Sequence, residues 1–285
     1  MQSLIELSEK QLSLDKGYLV SPFGLGDTAI LCGLKNQIEI RYSMPIAMVI
    51  KKSHEVVCDM YDIKDYILCS GLDDGKSTKS LEEIAVEVAS PSRGRLFVAH
   101  YDWHLKKELL HIQDGNIYFS FLDFYKGFLD LPWDCKFEYP KPYFTKMVDI
   151  LNIAKKLQES GIVAPINELA LLVPEARTFK PIELSFWEGF AKDFKSEGLT
   201  PITSVTNECF MLKGIPNLKL SLNELICLAM NCRIVVVMRS GLCDLIWQKG
   251  KSLYVVYSDL RTYYFARLKS IFPTSNVNEV IISNL

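Results

Sequence analysis

Apolar positions along the chain fall into two alternating kinds of run. Short continuous runs, many of them β-branched, mark strands buried on both faces of a sheet, and longer runs with apolar residues three and four apart mark amphipathic helices. Strands are predicted at 17–20, 46–50, 66–69 and 95–99, then at 168–173, 200–205, 218–220, 234–237, 253–257 and 280–282. Helices are predicted between them at 27–34, 53–60, 80–89, 145–160, 185–197, from Ser221 onward, at 242–247 and at 259–270. Ser80 with Glu83 and Ser221 with Glu224 form capping boxes, Ser53 stands as a cap, and Gly161 stops a helix. Residues 71–79 read as a loop, and from 101 to 143 the pattern dissolves into aromatic, proline-containing pieces at 119–124, 131–133 and 139–143. Strand alternating with helix predicts an α/β fold with parallel sheets covered on both faces. The stop at Gly161 divides it into domains 1–160 and 161–285, which would leave a cleft between two sheets.

Composition narrows the class without naming a partner. With 285 residues, 49% of them hydrophobic and 23% charged, the chain can bury one large core or two ordinary ones unaided. A net charge of −2 gives no basic field for nucleic acid. The eight cysteines sit mostly in apolar runs and form no C-x-x-C pair, so zinc and redox motifs lack support. With no basic leader before an apolar stretch and no apolar run near 18 residues, the sequence predicts a cytoplasmic, reducing location. Contact with the inner membrane face needs only a surface patch and stays open. His100, His104 and His111 fit scattered side chains in an aromatic loop better than a metal site, and no metal or cofactor is expected.

Candidate chemistry gathers where strands run into helices. The run Ile234, Val235, Val236, Val237 leads through Arg239 into Ser240, Gly241 and Leu242, a turn that can aim backbone N–H groups and a helix dipole at an anion such as a donor phosphate, with Arg239 as a fixed cation beside it. The same turn is equally an ordinary strand-to-helix connection whose Arg239 pairs with a carboxylate. Near the start, Gly24 and Gly26 let a backbone approach a ligand closely, and Asp27 either takes a proton from an attacking hydroxyl or caps its helix. Alanine at 29 breaks the G-x-G-x-x-G dinucleotide pattern. Arg177 and Lys180 follow the strand 168–173 in one loop, where a diphosphate could sit between them. Glu224 is placed for a ribose hydroxyl or for helix capping, and capping accounts for it already.

GLGDTAIL near the start, PEARTFK in the middle and SLNELICLAMNCRIVVVMRSGLCDLI later together resemble the GT-B glycosyltransferases, in particular the bacterial heptosyltransferase-like family. The resemblance implies two Rossmann-like domains facing across a cleft, with Asp27 as catalytic base, Lys180 as a phosphate-binding cation and Ser240-Gly241-Leu242 as the phosphate turn. Arg239 stands where that family carries Asp, and Asp244 where it carries His. The implied activity is metal-independent transfer of a sugar from a nucleotide-sugar to a glycan or glycolipid hydroxyl in cell-surface polysaccharide synthesis. The alternative is a non-catalytic nucleotide- or glycan-binding protein of the same fold, or a subunit of a glycosyltransferase complex.

Overall fold

A computed structural model describes residues 15–21, 24–68, 95–98, 120–176 and 179–282. The chain divides into two compact units, Met1–Lys141 and Pro142–Leu285. The division falls ahead of the junction expected at 160. Its reason is the helix Met147–Glu159, whose buried Ile153 and Leu157 belong to the second unit, where the helix packs on Leu222–Asn231. Lys156 adds a 2.7 Å ion pair to Glu224 across the same contact.

In the first unit, β1 (Gly17–Val20), β2 (Ile46–Ile50), β3 (Tyr66–Leu68) and β4 (Arg95–Val98) form a parallel sheet in the order β3-β2-β1-β4. All of β1 and β2 is buried, as their unbroken apolar runs require. Helix α1 (Leu25–Tyr42) leaves the carboxyl end of β1, and α2 (Glu55–Met60) follows β2 through a 3₁₀ turn, Lys52–His54. The expected cap at Ser53 is therefore displaced, and His54 holds the N-cap position. The aromatic piece at 119–124 resolves into α3 (Phe121–Phe128), started by a capping box of Ser120 and Asp123. Segments 131–133 and 139–143 have no regular structure, yet the chain there is closely held. Glu138 N–H donates to the Gly33 carbonyl at 2.9 Å, and a Cβ on Gly33 would lie 2.3 Å from the Phe137 ring and 2.7 Å from the Glu138 carbonyl oxygen. Glycine at 33 is required by this close approach.

The second unit begins with α4 (Met147–Glu159). It then carries β5 (Leu169–Val173), β6 (Thr200–Thr203), β7 (Ile234–Met238), β8 (Leu253–Tyr257) and β9 (Asn278–Ile281) in a parallel sheet ordered β6-β5-β7-β8-β9. The expected strand 218–220 reduces to a single bridge between Thr203 and Asn217. Helices α5 (Leu184–Ser196), α6 (Leu222–Asn231) and α7 (Gly241–Ile246) follow β5, β6 and β7 respectively. On α5 the ring of Phe186 meets Phe190 edge-on, Phe190 stacks on Phe194, and Trp187 enters the core. The helix expected at 259–270 breaks into α8 (Leu260–Ala266) and α9 (Leu268–Ile271) at Arg267, whose φ of −55° and ψ of 124° are not helical. Tertiary partners replace the lost helical bonds: the Ala266 carbonyl accepts from Arg239 at 2.6 Å, and Leu268 N–H donates to the Tyr257 hydroxyl at 2.9 Å. The loop expected at 71–79, the helix at 80–89 and the three histidines from 100 to 111 lie outside the described residues. No described helix is long and apolar enough to cross a membrane.

Candidate active site

Open parallel sheets bind ligands beyond the carboxyl ends of their strands, at the point where the strand order reverses. In the first unit that point lies between β1 and β4, and in the second between β5 and β7. Chain connectivity alone thus brings the candidate residues to these edges. Gly24, Gly26 and Asp27 follow β1. Lys180 follows β5, and the Arg239-Ser240-Gly241-Leu242 turn follows the neighbouring β7, which pairs with β5 from Ala170 and Ile234 to Val173 and Val237.

Asp27 sits in the first turn of α1, buried at 7% exposure, and a carboxylate so placed must be hydrogen-bonded. Its Oδ2 accepts from Gly24 N–H at 3.0 Å, and its Oδ1 accepts from the Tyr125 hydroxyl at 2.7 Å. The first bond is the capping geometry that the sequence allows. The second comes from α3 and has no counterpart in a helix cap. Beside it runs a second buried chain: the Thr28 hydroxyl lies 2.8 Å from both Ser21 Oγ and His54 Nδ1. His54 and Tyr125 are the site residues that the sequence reading missed. Ser120-x-x-Asp123 is a recognisable helix start that would have located Tyr125, whereas nothing in the local pattern marks His54.

Lys180 is exposed and makes no ion pair among the described residues. Its loop is anchored by Glu175, whose carboxylate accepts from Thr206 N–H and from the Thr206 hydroxyl, each at 2.6 Å. Arg177 lies outside the described residues.

Arg239 corrects an expectation. Rather than standing beside the turn as a cation for an anion, it is buried with its guanidinium paired to both oxygens of Asp244, at 2.8 and 3.1 Å, and bonded to the carbonyls of Ser240 and Ala266. Burial is the largest single effect and depresses its pKa, but the charge and hydrogen bond of Asp244, with Cys243 and Tyr257 nearby, together reverse this and the net shift is upward. Ser240 occupies the N-cap position of α7 without a side-chain capping bond, Gly241 opens the helix and Leu242 is buried. Glu224 is likewise committed: it closes the capping box with Ser221 and pairs with Lys156. Burial pushes its carboxyl up, while Lys156 and Ser221 more than reverse that and lower it.

No protein family and no curated protein matches the chain by sequence. Solved structures do match it, across both units. A glycosyl transferase family 9 protein from Veillonella parvula DSM 2008 is 12% identical with a TM-score of 0.60, over 96% of this chain and 88% of that one. The fold is that of the GT-B glycosyltransferases. The ADP-heptose lps heptosyltransferase II of E. coli, also 12% identical, shares the GT-B fold with a TM-score of 0.58 over 94% of this chain and 90% of its own. A third match, the iron-containing dodecameric glycosyltransferase TibC from enterotoxigenic E. coli H10407, is 11% identical with a TM-score of 0.53, over 90% of this chain and 62% of that one. Among the described residues no three His, Cys, Asp or Glu side chains gather as a metal site would need. Within the GT-B fold, the two positions where this chain departs from the heptosyltransferase-like pattern, Arg239 and Asp244, are each other's partner.

Proposed function

We propose that this chain is a glycosyltransferase that moves a sugar from a nucleotide-sugar to an acceptor hydroxyl, with Asp27 as general base. The observation that carries the reading is the fold shared with glycosyltransferases over nearly the whole chain, together with Asp27 at the switch point of the first sheet. In this reading the second unit holds the donor diphosphate with Lys180, with Arg177 from the same loop, and with the backbone at Ser240, Gly241 and Leu242. Asp27 takes the proton from the acceptor oxygen as that oxygen bonds to the anomeric carbon. The bond from that carbon to the diphosphate breaks, its electron pair leaves with the phosphate, and inversion follows from a single displacement. Charge growing on the leaving group strengthens its contacts with Lys180 and with the α7 N–H groups, so these contacts accelerate the step. The acceptor is a glycan or glycolipid of the cell surface, and catalysis takes place on the cytoplasmic side without a metal.

Two observations favour a second reading, a non-catalytic nucleotide-binding protein of the same fold. Arg239 is sealed against Asp244, and Asp27 is bonded as a helix cap. Release of nucleotide separates the two. A thermal-shift panel of ADP-heptose, UDP-, GDP- and dTDP-sugars selects the donor, because a ligand of the folded state raises the melting point. Asp27→Asn, which keeps an oxygen for Gly24, should retain that shift and slow nucleotide release by about 10² to 10⁴. Unchanged release would return Asp27 to capping alone.

A further inference from the structure

We infer that Tyr125 is a positioning residue for Asp27, its phenol holding the carboxylate in the orientation from which it accepts the proton of the attacking hydroxyl. The inference rests on the glycosyltransferase reading and deepens it. Capping α1 needs one carboxylate oxygen, and Gly24 N–H takes Oδ2. The bond from Tyr125 to Oδ1 adds nothing to the cap, comes from a helix far along the chain, and has the 2.7 Å length of a charge-assisted bond. A donor on each oxygen fixes rotation about both side-chain torsions of the carboxylate. An ionised carboxylate offers about four lone-pair sites, of which Gly24 and Tyr125 take one each.

The phenol can serve as such a fixture because it is itself immobilised. Tyr125 is fully buried, with its ring edge-on to Phe121 at 5.3 Å and to Phe124 at 5.7 Å. Its helix is anchored at both ends. Ser120 and Asp123 cap the start, and Lys126 reaches the Trp133 carbonyl at 2.7 Å. Swinging the hydroxyl away from Asp27 would break those ring contacts, so the bond is preorganised before a substrate arrives.

The test uses the full chain and whichever sugar nucleotide of the panel gives Asp27-dependent nucleotide release. Tyr125→Phe keeps the ring and should leave the donor KM within about twofold while lowering kcat by roughly 10- to 100-fold, the size of effect a misplaced reacting group produces. In the Asp27→Asn background the same substitution should lower kcat no further, since there is no base left to position. Site-specific 3-fluorotyrosine at 125, which keeps the hydroxyl, should retain kcat. An unchanged kcat for Tyr125→Phe, or an equal loss in both backgrounds, overturns the inference while leaving Asp27 as base. A Tyr125→Phe protein that no longer melts cooperatively assigns the hydroxyl to the fold and overturns it too. If Asp27→Asn itself releases nucleotide at the parent rate with every donor, the glycosyltransferase reading fails, and the role of Tyr125 falls with it.

Discussion

Replacing Arg239 with alanine would leave Asp244 buried without its bidentate partner, at 1% side-chain exposure. Breaking such a pair costs about 3–5 kcal/mol, so urea denaturation of Arg239→Ala should show a loss of that order, and adding Asp244→Asn should recover part of it. Lys180→Ala should behave in the opposite way. Stability should hold, while calorimetric titration should show an affinity loss of roughly 1–3 kcal/mol for a nucleoside diphosphate and little for the nucleoside. Equal losses for both ligands would remove Lys180 from the diphosphate. The local pattern fits either reading of Arg239, and the expectation of a phosphate-binding cation is the one the structure turns aside. What decides is Asp244, one helical turn on, facing back across the turn, and the Ala266 carbonyl brought in from α8. Neither is visible to a pattern that sees only neighbours.

At the scale of elements, strands were legible because burial on both faces leaves an unbroken apolar run, and β1, β2 and β8 fall at their expected bounds. Helices were legible where one face is apolar and a cap is present, as for α6 with Ser221 and Glu224. The misread elements are those whose ends are set by distant partners. The break between α8 and α9 exists because Arg239 and Tyr257 supply bonds to Ala266 and Leu268 that a continuous helix would have made internally. The α4–α6 contact carries a pH signature. Glu224 has its pKa lowered in the folded chain, because Lys156 and Ser221 outweigh the burial that raises it. A carboxylate lowered on folding stabilises above its unfolded pKa, and that contribution drains away as pH falls through the folded value. Stability measured in urea from about pH 6 down to about pH 3 should therefore fall less steeply in Lys156→Ala than in the parent. Parallel curves would mean that the pair contributes nothing.

At the scale of the whole molecule, the alternation of strand and helix announced two α/β units, and what it misplaced was their border. Gly161, with φ of +70°, does end a helix, but a helix stop is not a domain boundary when the helix itself packs forward. A fragment starting at 142 should unfold cooperatively, and one starting at 161, which strips Ile153 and Leu157 from the second unit, should be less stable by several kcal/mol. Equal denaturant midpoints would put the border back at the glycine. The segment at Phe137 and Glu138, which straps across α1 at Gly33, has a consequence for how this sequence can change. Shrinking Phe137 would remove two of the three atoms that a Cβ at position 33 would strike, but the Glu138 carbonyl would remain, because it is backbone and the N–H of the same residue is bonded to the helix. No substitution elsewhere makes alanine acceptable at 33 unless the path of the strap moves as well. A designer or a drifting lineage meets a position that is closed by the route of the chain, and a screen of single and double variants should find glycine alone there.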